Sequence, residues 1–297
     1  MFLNFDNNGS IDIAPPSRAH FVLGVASSAY IVALTFVSAR VLVKAKLGKF
    51  GLEDVLICIS AFLGLATLVW TSIACKYGFG IHTVDVLPEW ILPFGVLNYS
   101  TIAICTVCFY CTKTSMLVFY LRLATERPFR IVIYISITYL TLSFGIVTFI
   151  HVFSCSPISG AWDRRPSMKS ICITTMLDYH FAAVNVLMTD ILMIVLPIPI
   201  VLRLRMKWLA KLGLMAMFSM GFLITAVSIV SVWIMHVSVI GKDILWDGAY
   251  SWMLTLVEMY VGIMTACMPA MNMFIKWIRG EKSVPAEPEN DTIGGGG

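Results

Sequence analysis

Three ionisable side chains, Lys113, Asp190 and Glu258, stand inside long apolar stretches of this 297-residue chain. A charge at the centre of a membrane helix costs at least about 2.5 kcal/mol unless it is paired or faces water, so such residues mark ion pairs, substrate contacts or proton relays. Lys113 precedes Arg122 by nine positions, which at about 1.5 Å per residue places it roughly 13 Å from the basic end of its helix. Asp190 lies near the middle of a later stretch. The economical arrangement is a Lys113–Asp190 ion pair that fixes one helix against another; a substrate counter-ion or a proton relay is the functional alternative. Glu258 has no intramembrane base as an evident partner, so it is expected either as a protonated, hydrogen-bonded core carboxyl or as a ligand contact. Asn185, His180 and Trp162 complete the candidate ligand-binding set. No catalytic residue is assigned. Glu258 and Asp190 are the candidates, because a buried acid could protonate an alkene or epoxide while Trp233, Trp252 and Phe side chains stabilise the cation.

The five histidines, His20, His82, His151, His180 and His236, all fall on one side of the membrane, at the ends of apolar stretches or in a loop. With Asp178 and Glu258 they could build a metal site or a pH-sensitive surface. No two share the i, i+3 or i, i+4 spacing that presents both from one helix. The expectation is therefore no metal and no cofactor, with His82, His151, His180 and His236 making separate interfacial hydrogen bonds.

These side chains need a bilayer around them. Hydrophobic residues make up 59% of the chain and charged ones 13%, too little polar surface to cover a soluble globule of this length. A spanning helix takes about 20 mostly apolar residues, and candidate spans run at about 20–43, 52–75, 97–121, 131–153, 177–200, 212–239 and 249–275. The segment from Trp90 to Val96 could extend the third helix or form an interfacial turn, and Pro88 and Pro93 favour the turn. Alternate connections carry fourteen basic residues, among them Arg40, Lys44, Lys46, Lys49, Arg122, Arg127 and Arg130, against six on the other side. Basic residues are retained in the cytoplasm, which predicts an outer amino terminus and a cytoplasmic carboxyl terminus. Residues 1–20 lack a basic n-region and a long apolar run, so the first helix is expected to act as the targeting element. The same retention signal accounts for most of the net charge of +4, and no nucleic-acid partner is expected.

Of eight cysteines, Cys58, Cys105, Cys108, Cys111 and Cys267 fall inside apolar spans, where a thiol behaves as a small hydrophobe. Cys75, Cys155 and Cys172 meet the oxidising side. A Cys155–Cys172 bridge would close a short outer loop and hold Trp162 and Asp163 over the bundle; Cys75 paired with one of them is the alternative that spacing leaves open. Asn8-Gly9-Ser10 is a glycosylation sequon in the outer tail, whereas those at Asn98 and Asn290 fall in a span and in the cytoplasmic tail. Glu53 and Asp54, at the inner end of the second span, are expected to pair with Arg40, Lys44, Lys46 and Lys49. Pro197 and Pro199 should end or kink the fifth helix. Methionines such as Met215, Met217 and Met220 supply adaptable packing.

Read in order, Arg40, Lys49-Phe-Gly-Leu-Glu-Asp54, Tyr77-Gly-Phe-Gly-Ile-His82, the run Thr112 to Leu123, Cys155-Ser-Pro157 with Trp162-Asp163, Cys172, Asn185 with Asp190, Pro197-Ile-Pro199 and Cys267-Met-Pro269 resemble the fungal rhodopsin-like integral membrane proteins. The resemblance covers about residues 20–280. It implies a receptor-like role in surface sensing or a place in secondary metabolism. Some larger receptor-like relatives carry a cysteine-rich outer domain, a subtype that the tail of about 19 residues argues against here. Retinal is not expected, because a Schiff base needs a lysine in the middle of the last helix, and none occurs from Ala249 to Ile275. Nor does the chain carry the acid-Arg-Tyr or Asn-Pro-x-x-Tyr elements of the large animal receptor class.

The expected architecture is all-α: a polytopic protein of seven transmembrane helices over residues 20–280, with an outer tail at 1–19 and a disordered cytoplasmic tail at 281–297. Its first expected role is a receptor for a small apolar or amphipathic ligand or surface cue, with a cytoplasmic signalling partner. A membrane enzyme of the isoprenoid-cyclase kind is the alternative and a transporter the third. Plasma membrane and endomembrane are not distinguished.

Overall fold

Long runs of Leu, Ile, Val, Phe and Met, broken by short loops, wind into seven α-helices in a computed structural model that describes residues 3–5, 11–13, 17–48, 50–124, 126–163, 170–173, 175–198, 208–240 and 243–278. The helices are α1 (Ala19–Lys46), α2 (Leu52–Lys76), α3 (Pro88–Leu123), α4 (Arg127–Val152), α5 (Thr175–Val195), α6 (Trp208–Ile240) and α7 (Ile244–Ile278). Two short antiparallel pairs accompany them. β1 (Leu3–Phe5) faces β2 (Ile11–Ile13) in the amino-terminal tail, and β3 (Cys155–Ser156) faces β4 (Ile171–Cys172) between α4 and α5.

One sequence expectation is corrected. Helix α3 starts at Pro88, so Trp90 to Val96 forms its opening turns instead of an interfacial turn. Proline at the first helical position loses no hydrogen bond, because that N–H has no intrahelical acceptor; only Pro93, inside the helix, removes one. Among the described residues, six of the seven helices are long and apolar enough to cross a bilayer. The seventh, α5, is 21 residues long, and its continuously described stretch, His180–Val195, is apolar as well; Pro197 follows its last turn, and its ring disfavours helical geometry in the residue ahead of it. Pro199 lies outside the described residues.

Helix α7 is the central post, packed against α1, α2, α3 and α6. Its Leu245–Met268 window is 56% buried, against 11–33% for the other five span windows. Tyr260 of α7 and Tyr30 of α1 meet edge to face at 5.5 Å between ring centroids. Their hydroxyls donate to α2 carbonyls, Tyr260 to Gly64 at 3.1 Å and Tyr30 to Ala61 at 3.3 Å, which is how an aromatic residue keeps a polar atom inside an apolar core. Large apolar side chains that face outward, such as Phe62, Phe149 and Phe222, have the lipid tails as solvent.

At one end, Cys155 and Cys172 form the disulfide, and Cys75 is free. The bridge holds the strand pair and the turn Ile158–Ala161, from which Trp162 packs on Tyr99 of α3 at 5.3 Å. Gly95 is required beneath it, because a Cβ there would run into the Trp162 carbonyl oxygen. Gly95→Ala is expected to lower stability by about 1–3 kcal/mol through overpacking, read as a lower unfolding midpoint in nanodiscs. A midpoint equal to wild type would show that the loop gives way freely.

Candidate functional site

Lys113 from α3 and Asp190 from α5 meet inside the bundle, with Nζ 3.1 Å from Asp190 Oδ1. The ammonium also donates to Thr189 Oγ1 at 2.6 Å and to the Val186 carbonyl at 3.1 Å. Thr189 is held in turn by its bond to the Asn185 carbonyl, one helical turn back, at 2.9 Å. Ser228 of α6 donates to Asp190 Oδ2 at 3.2 Å. Three helices are thus joined through one buried pair, with Lys113 and Asp190 only 4% and 7% exposed.

Above this pair, toward the disulfide end, lies a cavity of ≈ 200 Å³. Phe79 and Phe94, stacked at 6.0 Å, line it at that end, and Trp252, whose Nε1 donates to Thr71 Oγ1 at 3.1 Å, lines its side. Its deep wall includes Asn185, Ser228 and Glu258. A second cavity of ≈ 50 Å³ is lined by Lys113, Asp190 and again Glu258, and Phe109 also borders both. Glu258 therefore stands between the two spaces. Glu258 Oε1 and Asn185 Nδ2 are buried and have no hydrogen-bond partner among the described residues. In an apolar setting each such atom costs about 1–3 kcal/mol, so the cavity holds one acceptor and one donor ready for a guest.

The opposite end carries a separate charge network. Arg40 Nε of α1 binds Asp54 Oδ1 of α2 at 2.7 Å, and Lys44 Nζ reaches Glu53 Oε1 at 3.2 Å and Asp54 Oδ2 at 3.4 Å. Arg40 also donates to the Ala266 carbonyl of α7. Arg122 of α3 reaches Glu53 Oε1 at 2.6 Å, and Ser115 donates to the Glu53 carbonyl at 2.7 Å. A Cβ at Gly51 would overlap the Arg122 guanidinium where it stands, so a larger residue there would displace that half-exposed side chain. Lys49 lies outside the described residues.

At the disulfide end, the loop after α2 docks on the start of α7. His82 stacks on Trp246 at 4.0 Å, and Arg18 lies between Trp246 and Tyr250 while pairing with Asp247 at 3.3 Å. Asp243 accepts from His82 Nδ1 at 2.6 Å and from the Thr83 N–H and hydroxyl at 3.1 and 2.8 Å. Burial pushes the Asp243 carboxyl up, but those hydrogen bonds outweigh it and hold it at about 2, below its ordinary 3.8. A carboxyl lowered on folding binds fewer protons than in the unfolded chain, so its contribution is complete above 3.8 and is lost as pH falls toward about 2. The expected result is a Trp246 fluorescence change in that window that is absent from Asp243→Asn.

Glu258, Asp190, Lys113 and Asn185 come together around the two cavities; Trp162 and His180 line neither. Trp162 belongs to the disulfide loop, and His180 Nε2 meets His236 Nδ1 at 3.2 Å across α5 and α6. Trp233 is 67% exposed on the outer face of α6, away from the acids, whereas Trp252 lines the cavity. The four histidines do not meet at one point: His180 and His236 pair with each other, His82 packs on Trp246, and His151 stacks on Tyr99 at 5.0 Å. Among the described residues no three His, Cys, Asp or Glu side chains form a metal-holding group. Asn8 lies outside the described residues, as do the side chains of Asp178, Met215 and Met217. Sequence reading missed Arg122, Ser228 and Phe109. Arg122 alone left a signal, a basic residue at the same membrane end as Glu53.

The chain matches the fungal rhodopsin domain over residues 39–277. It is 32% identical over 217 residues to a SAT4 family membrane protein of Emericella nidulans, an alignment covering 72% of this chain and 54% of that protein. The chain thus spans about half the length of this curated relative. No solved structure matches it. The multi-pass helices, the buried charges that join them and the match across most of the bundle lead to one conclusion: the chain belongs to the fungal rhodopsin domain family.

Proposed function

We propose that this multi-pass membrane protein is a receptor: a small apolar or amphipathic molecule enters the Glu258 cavity from the disulfide end and shifts the helices that meet there. The observation that carries this reading is the pair of unpartnered buried atoms, Glu258 Oε1 and Asn185 Nδ2, in the wall of a largely apolar cavity. Helices α3 and α7 supply the link to the other end. Helix α3 carries Lys113 beside the cavities and Arg122 in the distal network, and α7 carries Glu258 and the Ala266 carbonyl held by Arg40. A ligand that prefers one helix arrangement would bias that network, as any differential affinity must. The distribution of basic residues supports an outer disulfide end and a cytoplasmic network end. Residues 1–19 then form an outer tail, 281–297 a cytoplasmic tail, and the basic inner loops face a signalling partner.

The test is a deletion strain compared with its parent by untargeted metabolite profiling and by transcript response to candidate surface cues. Complementation uses wild type and Glu258→Gln, each checked for membrane expression. A response restored by wild type with unchanged metabolites supports the receptor. Loss of one metabolite with accumulation of its precursor would replace the receptor with an enzyme.

A further inference from the structure

Lys113 has three N–H donors, and Asp190, Thr189 and the Val186 carbonyl occupy them. None is left for Glu258, which is 4% exposed and lines both cavities. Among the described residues, the charged side chains that line these cavities are one cation, Lys113, and two acids, Asp190 and Glu258. An ionised Glu258 would leave the deep wall one positive charge short, and an unpaired carboxylate in such a setting is costly, so only a cationic guest would favour that form. Phe109 and Phe144 already face the Lys113 ammonium at 5.6 and 5.7 Å, but Trp252 also lines the space beside Glu258, and an aromatic face attracts a desolvated ammonium. A neutral alcohol could satisfy Glu258 Oε1 and Asn185 Nδ2 together only while the acid keeps its proton, whereas an ammonium would pair with the carboxylate.

We propose that the ligand is an amphiphile with a protonated amine head, received by Glu258, and an aromatic or other apolar body reaching toward Phe79 and Phe94. This rests on reading the larger cavity as a ligand site. Asp190 does not serve the same role, because Lys113 already neutralises it.

The test uses the full chain in lipid nanodiscs and the matched probes 2-phenylethylamine and 2-phenylethanol, which differ at the head group alone. Each is titrated against the thermal unfolding midpoint. Half-saturation is expected at an amine concentration at least about tenfold lower than that of the alcohol, and Glu258→Gln should abolish the preference by weakening the amine. Equal affinities in wild type overturn the amine assignment and leave the cavity as a site for neutral ligands. A preference retained in Glu258→Gln overturns the role of Glu258. Failure of both probes to shift wild type at millimolar concentration overturns both this assignment and the cavity reading beneath it. The wild-type comparison decides the ligand class even where Glu258→Gln cannot be recovered folded.

Discussion

Asp54→Ala should destabilise the protein by about 3–5 kcal/mol, the range for removing one partner of a buried ion pair. Arg40 and Asp54 are 1% and 0% exposed, so truncation leaves the guanidinium without its carboxylate and with little water to replace it. The same carboxylate accepts the Gly51 N–H at 2.9 Å, the reach-back bond that caps the start of α2; the variant loses that as well. Arg122→Ala is the control. Its side chain is 52% exposed, water can take over its role, and the expected loss is within about 1 kcal/mol. Denaturant unfolding in mixed micelles, or recovery of a monodisperse peak at rising temperature, compares the two. Equal losses would mean that the network is held by its exposed member and not by its buried one.

The sequence discloses pairs that lie near one another along the chain or at one end of the bundle. Glu53 and Asp54 follow the basic end of α1 across a short loop, which makes α1 and α2 antiparallel neighbours and brings Arg40 and Lys44 alongside. The Lys113–Asp190 pair was legible for an energetic reason: two opposite charges in separate apolar spans stabilise one another more than either is stabilised by lipid. Depth and facing were not legible. His180 and Trp162 share a membrane end with the cavity mouth, but the strand pair directs Trp162 onto Tyr99, and His180 turns toward His236 on α6. Trp233 and Trp252 look equivalent as aromatic residues in apolar helices; the helical phase sends one to lipid and the other to the cavity. Glu258 gained its place between two cavities from the packing of α7 against α3 and of α6 between α5 and α7, an adjacency no local pattern encodes. The length of the third helix was misjudged because Pro88 and Pro93 were both weighed as breakers. At the first helical position proline has no N–H to lose, and a single missing bond is outweighed by the rest of the ladder and the packing of a 36-residue helix.

Lys113→Met and Asp190→Leu are each expected to lower stability by about 3–5 kcal/mol, because each strands its partner's charge in an apolar interior. The double variant should recover much of that loss. Met and Leu fill similar volume without charge, and replacement of a buried pair by apolar residues is often close to neutral. A double-mutant cycle isolates the coupling, and a value well above 1 kcal/mol is the expected outcome. Additive losses would mean that Lys113 is held mainly by Thr189 and the Val186 carbonyl, with Asp190 a bystander. The recovered double variant also separates packing from response. Once folding is restored, a sensing phenotype that returns assigns the pair to architecture, with Glu258 alone facing the ligand. A folded double variant that stays silent makes Lys113 and Asp190 the charged hinge through which occupation of the cavity reaches Arg122 on the same helix.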